Sequence, residues 1–103
     1  MAIQFTTASA RFDETAGPQK ENAIAHFNGT VRNAAAAING WSIEFTNGDH
    51  PIRKQRINIV DSEIRWDGNT VTVPVSFLLR DNSGNVDDPF TGYVDVMVVA
   101  EVN

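Results

Sequence analysis

The chain contains no cysteine. This absence excludes disulfides, thiol nucleophiles, cysteine zinc sites and iron–sulfur clusters. Histidine is nearly as scarce, since His26 and His50 are the only two. Two histidines leave little for a multi-histidine metal site or for acid–base chemistry at neutral pH. The sequence therefore does not predict an enzyme.

Basic charge is also in short supply. Eight Lys and Arg stand against thirteen Asp and Glu, which gives a formal net charge of −5. Nucleic-acid binding needs a basic face that displaces counterions from phosphates, and docking on anionic lipid needs positive charge as well. We expect neither partner. No apolar run approaches the roughly 18 residues of a membrane span, and residues 1–14 lack the regions of a secretory signal, so the default expectation is a cytoplasmic protein.

What the chain does have is strict alternation of apolar and polar residues. A length of 103 residues fits one domain, 1–103. Alternation with a period of two is typical of half-buried strands, and the valine-rich stretches would form poor helices. The apolar faces of these runs predict a core: Trp41, Ile43, Phe45, Ile57, Ile59, Val71, Val73, Val75, Phe77, Val94, Val96 and Val98.

Some segments are less regular. Ile3 and Phe5 predict a short opening strand, and residues 9–22, with Gly17-Pro18, predict a loop. For Ala34–Ala37 a strand is favoured over a helical turn, because an isolated turn of helix is marginal. Pro74 lies inside a strand pattern and cannot donate to a ladder, which predicts an edge strand or a bulge there.

About seven strands at turn-spaced intervals predict an all-β fold. Ile64 and Trp66 precede the turn signal Asp67-Gly68-Asn69, which leads into the next strand and predicts a hairpin. The strand number and chain length favour an immunoglobulin-like antiparallel β-sandwich. A small β-barrel is the alternative, because both architectures bury one face of each strand.

The segment Asp81–Gly92 is longer than a tight hairpin needs and is rich in side-chain oxygens. Asp81, Asp87 and Asp88 are candidate calcium ligands, since calcium takes six to eight hard oxygen ligands. The spacing does not fit an EF-hand, which needs Gly at the sixth position and Glu at the twelfth. Three interpretations remain: a solvated turn in which Asn, Asp and Ser cap their own backbone, an irregular calcium loop, and a recognition loop or interface.

Two further groups of residues are candidates for a site. Asp49 and His50 follow an Asn47-Gly48 turn signal and predict a structural loop, because no nucleophile motif accompanies them. Aromatic rings suit sugar binding, since a pyranose presents an apolar face. The candidate ligand-binding residues are Trp66, Asp81, Asn85, Asp87 and Phe90.

The segments Asp49-His50, Gly68–Val73 and Leu79–Asp88 carry a resemblance. From about residue 24 to the C-terminus the chain is similar to a group of small, uncharacterised bacterial all-β domains. The resemblance implies that Asp49-His50 and the Asp81–Gly92 loop are a shared architectural signature. It implies no activity.

These observations favour one function. The leading expectation is a non-enzymatic β-sandwich binding module that recognises carbohydrate through the Asp81–Gly92 loop, with calcium as a structural cofactor. The alternative is a protein–protein or self-assembly module, and a hydrolase is a distant third. Because small β domains often bury an open edge against a copy of themselves, a homo-oligomer is expected.

Overall fold

The computed structural model describes residues 2–15, 17–46, 52–81 and 89–103, without the side chains of residues 14, 15, 52–54, 80 and 81. Within these residues a 3-10 turn covers Asp61–Glu63, and no helix is long and apolar enough to cross a membrane. The strands are β1 (Ala2–Thr15), β2 (Gln19–His26), β3 (Val31–Phe45), β4 (Ile52–Ile59), β5 (Arg65–Asp67), β6 (Thr70–Asp81) and β7 (Phe90–Val102).

The seven strands form two antiparallel sheets. Sheet A has the order β1-β7-β3, and sheet B has the order β2-β6-β4, with β5 also paired to β6. The predicted all-β sandwich is confirmed, and the described sheets do not close into a barrel. The immunoglobulin-like detail is not confirmed, because that fold pairs its first two strands within one sheet. Here β1 pairs with β7 and β2 with β6, each in a different sheet.

The core lies between the two central strands, β6 and β7. Their alternate residues are fully buried, because each central strand has neighbours on both sides and the opposite sheet above its inner face. Phe77 stacks on Phe12 with ring centroids 4.5 Å apart and contacts Phe90 at 4.9 Å. These three rings join the sheets at one end of the sandwich, and valines form much of the remaining core: Val71, Val73, Val75, Val94, Val96, Val98 and Val102.

The prediction that Pro74 marks an edge strand or a bulge is wrong. β6 is the central strand of sheet B, and its register with β2 continues without a shift from Thr70 to Phe77. The interruption lies in the neighbouring strands instead. β4 ends opposite Val75 and β5 begins opposite Thr72, and the Pro74 carbonyl accepts from the Val60 N–H at 3.0 Å in the gap. The missing N–H of proline faces this gap, where no ladder needs it.

The predicted loop over residues 9–22 is also wrong. β1 continues to Thr15 and β2 begins at Gln19, so the connection between them is short. Ala8, Ala10 and Phe12 face inward opposite β7, while Ser9 and Arg11 face solvent. This alternation is visible in the sequence, but small and polar residues weaken it.

The turn predicted after Trp66 is confirmed. Asp67 pairs with Thr70 across Gly68 and Asn69, and Gly68 has the positive φ of 59° that such a turn requires. The Phe27 N–H donates to the Asn69 carbonyl and the Val31 N–H to the Gly68 carbonyl, both at 2.8 Å. The β5–β6 hairpin thus anchors the crossing from β2 in sheet B to β3 in sheet A.

Candidate functional site

Several residues predicted to form a site lie outside the described part of the chain: Asp49, His50, Asn85, Asp87 and Asp88. Asp81 is the last residue of β6, where its backbone pairs with Ile52. The calcium loop and the Asp49-His50 loop therefore stay predictions. The described residues that flank both segments meet at one end of the sandwich, since Phe45 pairs with Phe90 and the Thr46 N–H donates to the Pro89 carbonyl at 3.0 Å.

Phe90 is not a ligand-facing residue, which corrects its predicted role. It opens β7, faces inward and is 0 % exposed. Its ring packs against Phe77 and its backbone pairs with both Thr15 and Phe45. In the sequence Phe90 follows a polar loop, but it lies on the inward face of β7, so its side chain is buried in the core.

Trp41 is the opposite case, since it was predicted to be buried and is 52 % exposed. Its backbone pairs with Val94, whose side chain faces the core, so Trp41 does lie on the inner face of sheet A. However, β3 is an edge strand, and no described strand pairs with its other edge. The indole therefore stands at the side of the sandwich, where the space between the sheets opens to solvent.

Trp66 lies on the same open side, contributed by sheet B. It pairs with the inward-facing Val71 and is 40 % exposed, which confirms the predicted partial exposure. Partly buried apolar side chains on β3, β4 and the adjoining 3-10 turn continue this surface. We call it the open side, and it comprises Ala34, Ala36, Ile38, Trp41, Gln55, Ile57, Ile64 and Trp66.

The opposite side of the sandwich is closed. β1 and β2 contact each other there, and their inward residues include the small side chains of Ala8, Ala10, Ala23 and Ala25. On the open side, the inward residues are a mixture of alanines with tryptophan and isoleucine.

Two clefts divide the open side along its length. The larger, of about 430 Å³, is lined by Ala34–Ala36 of β3 and by Asp61, Ile64 and Trp66. The smaller, of about 230 Å³, is lined by Ile38 and Trp41 of β3 and by Gln55 and Ile57 of β4. Alanines thus form one half of the β3 edge, and large apolar side chains form the other.

A second apolar surface lies on the outer face of sheet A. Ile3, Phe5 and Met97 are exposed there, and Ala35 and Ala37 flank them on β3. This face also carries Asp95, which accepts a hydrogen bond from Ser9 Oγ, and Glu101, which pairs with Ile3. Two carboxylates close to the apolar residues make this face costly to bury, because ionised groups are costly to desolvate.

The described residues offer little catalytic chemistry. No group of three or more His, Cys, Asp or Glu among them could hold a metal ion. His26 is exposed on β2, and its Nδ1 lies 3.4 Å from Thr70 Oγ1. The Lys20–Glu63 ion pair joins β2 to the 3-10 turn across the outer face of sheet B and has a structural role.

Comparison with known proteins identifies no family for this chain. Scans of protein-family models, of curated proteins and of solved structures each returned no match to this chain. The resemblance to small bacterial all-β domains stays a prediction, and the functional argument depends on the geometry of the open side.

Proposed function

We propose that this chain is a non-enzymatic protein-binding module that takes up an extended segment along the open side. One observation carries the proposal. No described strand pairs with the outer edge of β3 at residues 34–43, and inward-facing Trp41 is half exposed beside that edge. Such a groove combines a backbone template with an apolar lining.

Strand addition uses both features of the groove. An extended segment hydrogen-bonds to the free edge of a sheet, and its alternate side chains enter pockets between the sheets. In this groove those pockets are the two clefts beside β3. Exposed apolar surface rimmed by polar groups is typical of protein interaction sites, and Asp61 and Gln55 provide the polar rim here.

A peptide-display screen tests this proposal. We expect the selected peptides to alternate apolar and polar residues, and to shift the fluorescence of Trp41 and Trp66 to the blue as the indoles leave water. Ile38→Lys places a charge on the inner face of the β3 edge and should weaken binding at least tenfold. The matched control is Ile24→Lys, which changes an exposed isoleucine on the outer face of β2 and should leave binding unchanged. A screen without binders, or binders insensitive to Ile38→Lys, would contradict the proposal.

Carbohydrate binding is the second candidate function, and the two half-exposed indoles of the open side favour it. Indole faces stack on the apolar faces of sugars. A glycan array compares the wild type with Trp66→Ala. A signal that Trp66→Ala removes and Ile38→Lys spares would favour a glycan over a peptide strand.

A further inference from the structure

We propose that the strand taken up by the open side is β3 of a second copy of this chain, so that the two open sides form a symmetric dimer. This inference rests on the proposed protein-binding function and specifies the partner. A two-fold axis pairs the same edge with itself in an antiparallel sense, so every contact is made twice. Sheet A would then continue across the dimer as six strands.

We infer a register with the two-fold axis at Ala37, because it places inward-facing residues of the two copies opposite each other and pairs large side chains with small ones. Opposite residues in an antiparallel pair point to the same face of a sheet. With the axis at Ala37, inward-facing Ile38 lies opposite inward-facing Ala36 of the second copy. The bulge between Ile38 and Gly40 then skips one residue, so that Trp41 lies opposite Ala34 of the second copy. Because of the bulge, inward-facing residues of one copy stay opposite inward-facing residues of the other beyond Ile38.

In this register, large side chains of one copy face small side chains of the other. Each contact between the copies joins a large residue to an alanine, Ile38 to Ala36 and Trp41 to Ala34. The alanine half of the edge borders the larger cleft, about 430 Å³ in volume, between β3 and Trp66. The exposed indole of one copy thus meets the cleft of the other. Pairing of large with small side chains across facing positions is how well-packed interfaces interdigitate.

Charge also favours β3 over the other edges. Two copies each carry a net charge of −5 and repel at long range. Residues 34–43 of β3 include no charged side chain, so the contact itself adds no like-charge pair. β2, β4 and β5 each carry charged residues, which is how edge strands resist pairing: Lys20 and Glu21 on β2, Arg53, Lys54 and Arg56 on β4, and Arg65 and Asp67 on β5. β1 contacts β2 along the closed side.

The register sets the length of the contact between the copies. Residues 34–41 of β3 span about 27 Å at the rise of a strand, which is about half of the 51 Å length of the molecule.

Cross-linking tests the register directly, because the wild-type chain has no cysteine. Ala37→Cys places two thiols opposite each other at the axis, within reach of a disulfide. The matched variant Ala35→Cys lies on the same outer face of β3, but its two thiols would be about 13 Å apart at the rise of a strand. We expect mild oxidation to give a covalent dimer of Ala37→Cys and to leave Ala35→Cys monomeric on a non-reducing gel. Equal cross-linking of both variants, or none of Ala37→Cys, would overturn the inference.

Sedimentation separates this inference from the proposed function. We expect the wild type to sediment at twice 11.3 kDa, and Ile38→Lys at the mass of one chain. Phe5→Lys, on β1 and the outer face of sheet A, should remain a dimer. A wild-type monomer at 100 μM or above that still binds peptides through the open side would refute the dimer and retain the protein-binding function. A dimer that Phe5→Lys dissociates and Ile38→Lys does not would refute the proposed surface.

Discussion

Replacing Phe77 by alanine should remove most of the stability of this domain. The ring is 2 % exposed and lies between Phe12 and Phe90, so its loss leaves a cavity that joins both sheets. Large-to-small substitutions of this kind cost roughly 3–5 kcal/mol, out of about 5–15 kcal/mol for a typical domain.

Urea unfolding followed by far-ultraviolet circular dichroism measures this effect. Chain concentration is held constant, because dimerisation contributes to apparent stability. The control is Phe5→Ala, which removes a ring that is more than half exposed and should change the free energy of unfolding by less than about 0.5 kcal/mol. A loss below about 1 kcal/mol for Phe77→Ala would contradict the central position of this ring.

Gly92→Ala should be the second strongly destabilising change. Gly92 pairs with Phe12 on one side and Ile43 on the other, where β7 and β3 approach closely. A Cβ at this position would overlap the Ser42 carbonyl oxygen and lie 2.9 Å from Ile43 Cα. Both neighbours are backbone atoms, so relief requires the strands to separate. We expect a loss of about 1–3 kcal/mol or more.

Gly40→Ala is the matched control for this prediction. Gly40 is on β3 as well, but a Cβ there would have nothing within 4 Å. We expect a change near zero, or a gain of roughly 0.4–1 kcal/mol from the smaller conformational entropy of the unfolded chain. Thermal unfolding of both variants gives the comparison. Equal effects at the two glycines would show that the close approach of the strands at Gly92 does not determine the change in stability.

The central strands and the β5–β6 hairpin could be predicted from the sequence because local chemistry determines them. β6 and β7 bury one complete face against both neighbours and the opposite sheet, so valine recurs at every second residue. The turn at Gly68 needs a residue that adopts positive φ, and the sequence provides glycine there. In these segments the alternation and the turn chemistry agree.

The edge strands and the open side could not be predicted in the same way. Pro74 suggests an edge only if its own strand is considered, whereas the gap that accommodates it arises between β4 and β5. Trp41 and Phe90 both lie on inward faces, yet one is half exposed and the other fully buried. The alternation along a strand indicates on which face of the sheet a side chain lies. The position of that strand within its sheet determines how exposed the side chain is.

The strand order also explains why the sequence does not predict the open side as a binding surface. The turn after Trp66 predicts a partly exposed ring, but the neighbours of this ring on β3 come from about thirty positions earlier in the chain. Nothing in the local sequence of Ala34–Ala36 indicates that these alanines line a cleft beside an indole. Only the pairing of β3 with β7 and of β5 with β6 brings them together.

Hydrogen–deuterium exchange as a function of protein concentration tests most directly whether the β3 edge is the surface that a second copy covers. Backbone amides in a free edge exchange readily, and pairing with a second strand protects them. Over the concentration range in which the sedimenting mass doubles, we expect exchange to slow in residues 34–41 of β3 and to stay constant in β1 and β2. Protection that is independent of concentration in residues 34–41, or that develops in β1 or β2 instead, would contradict the account.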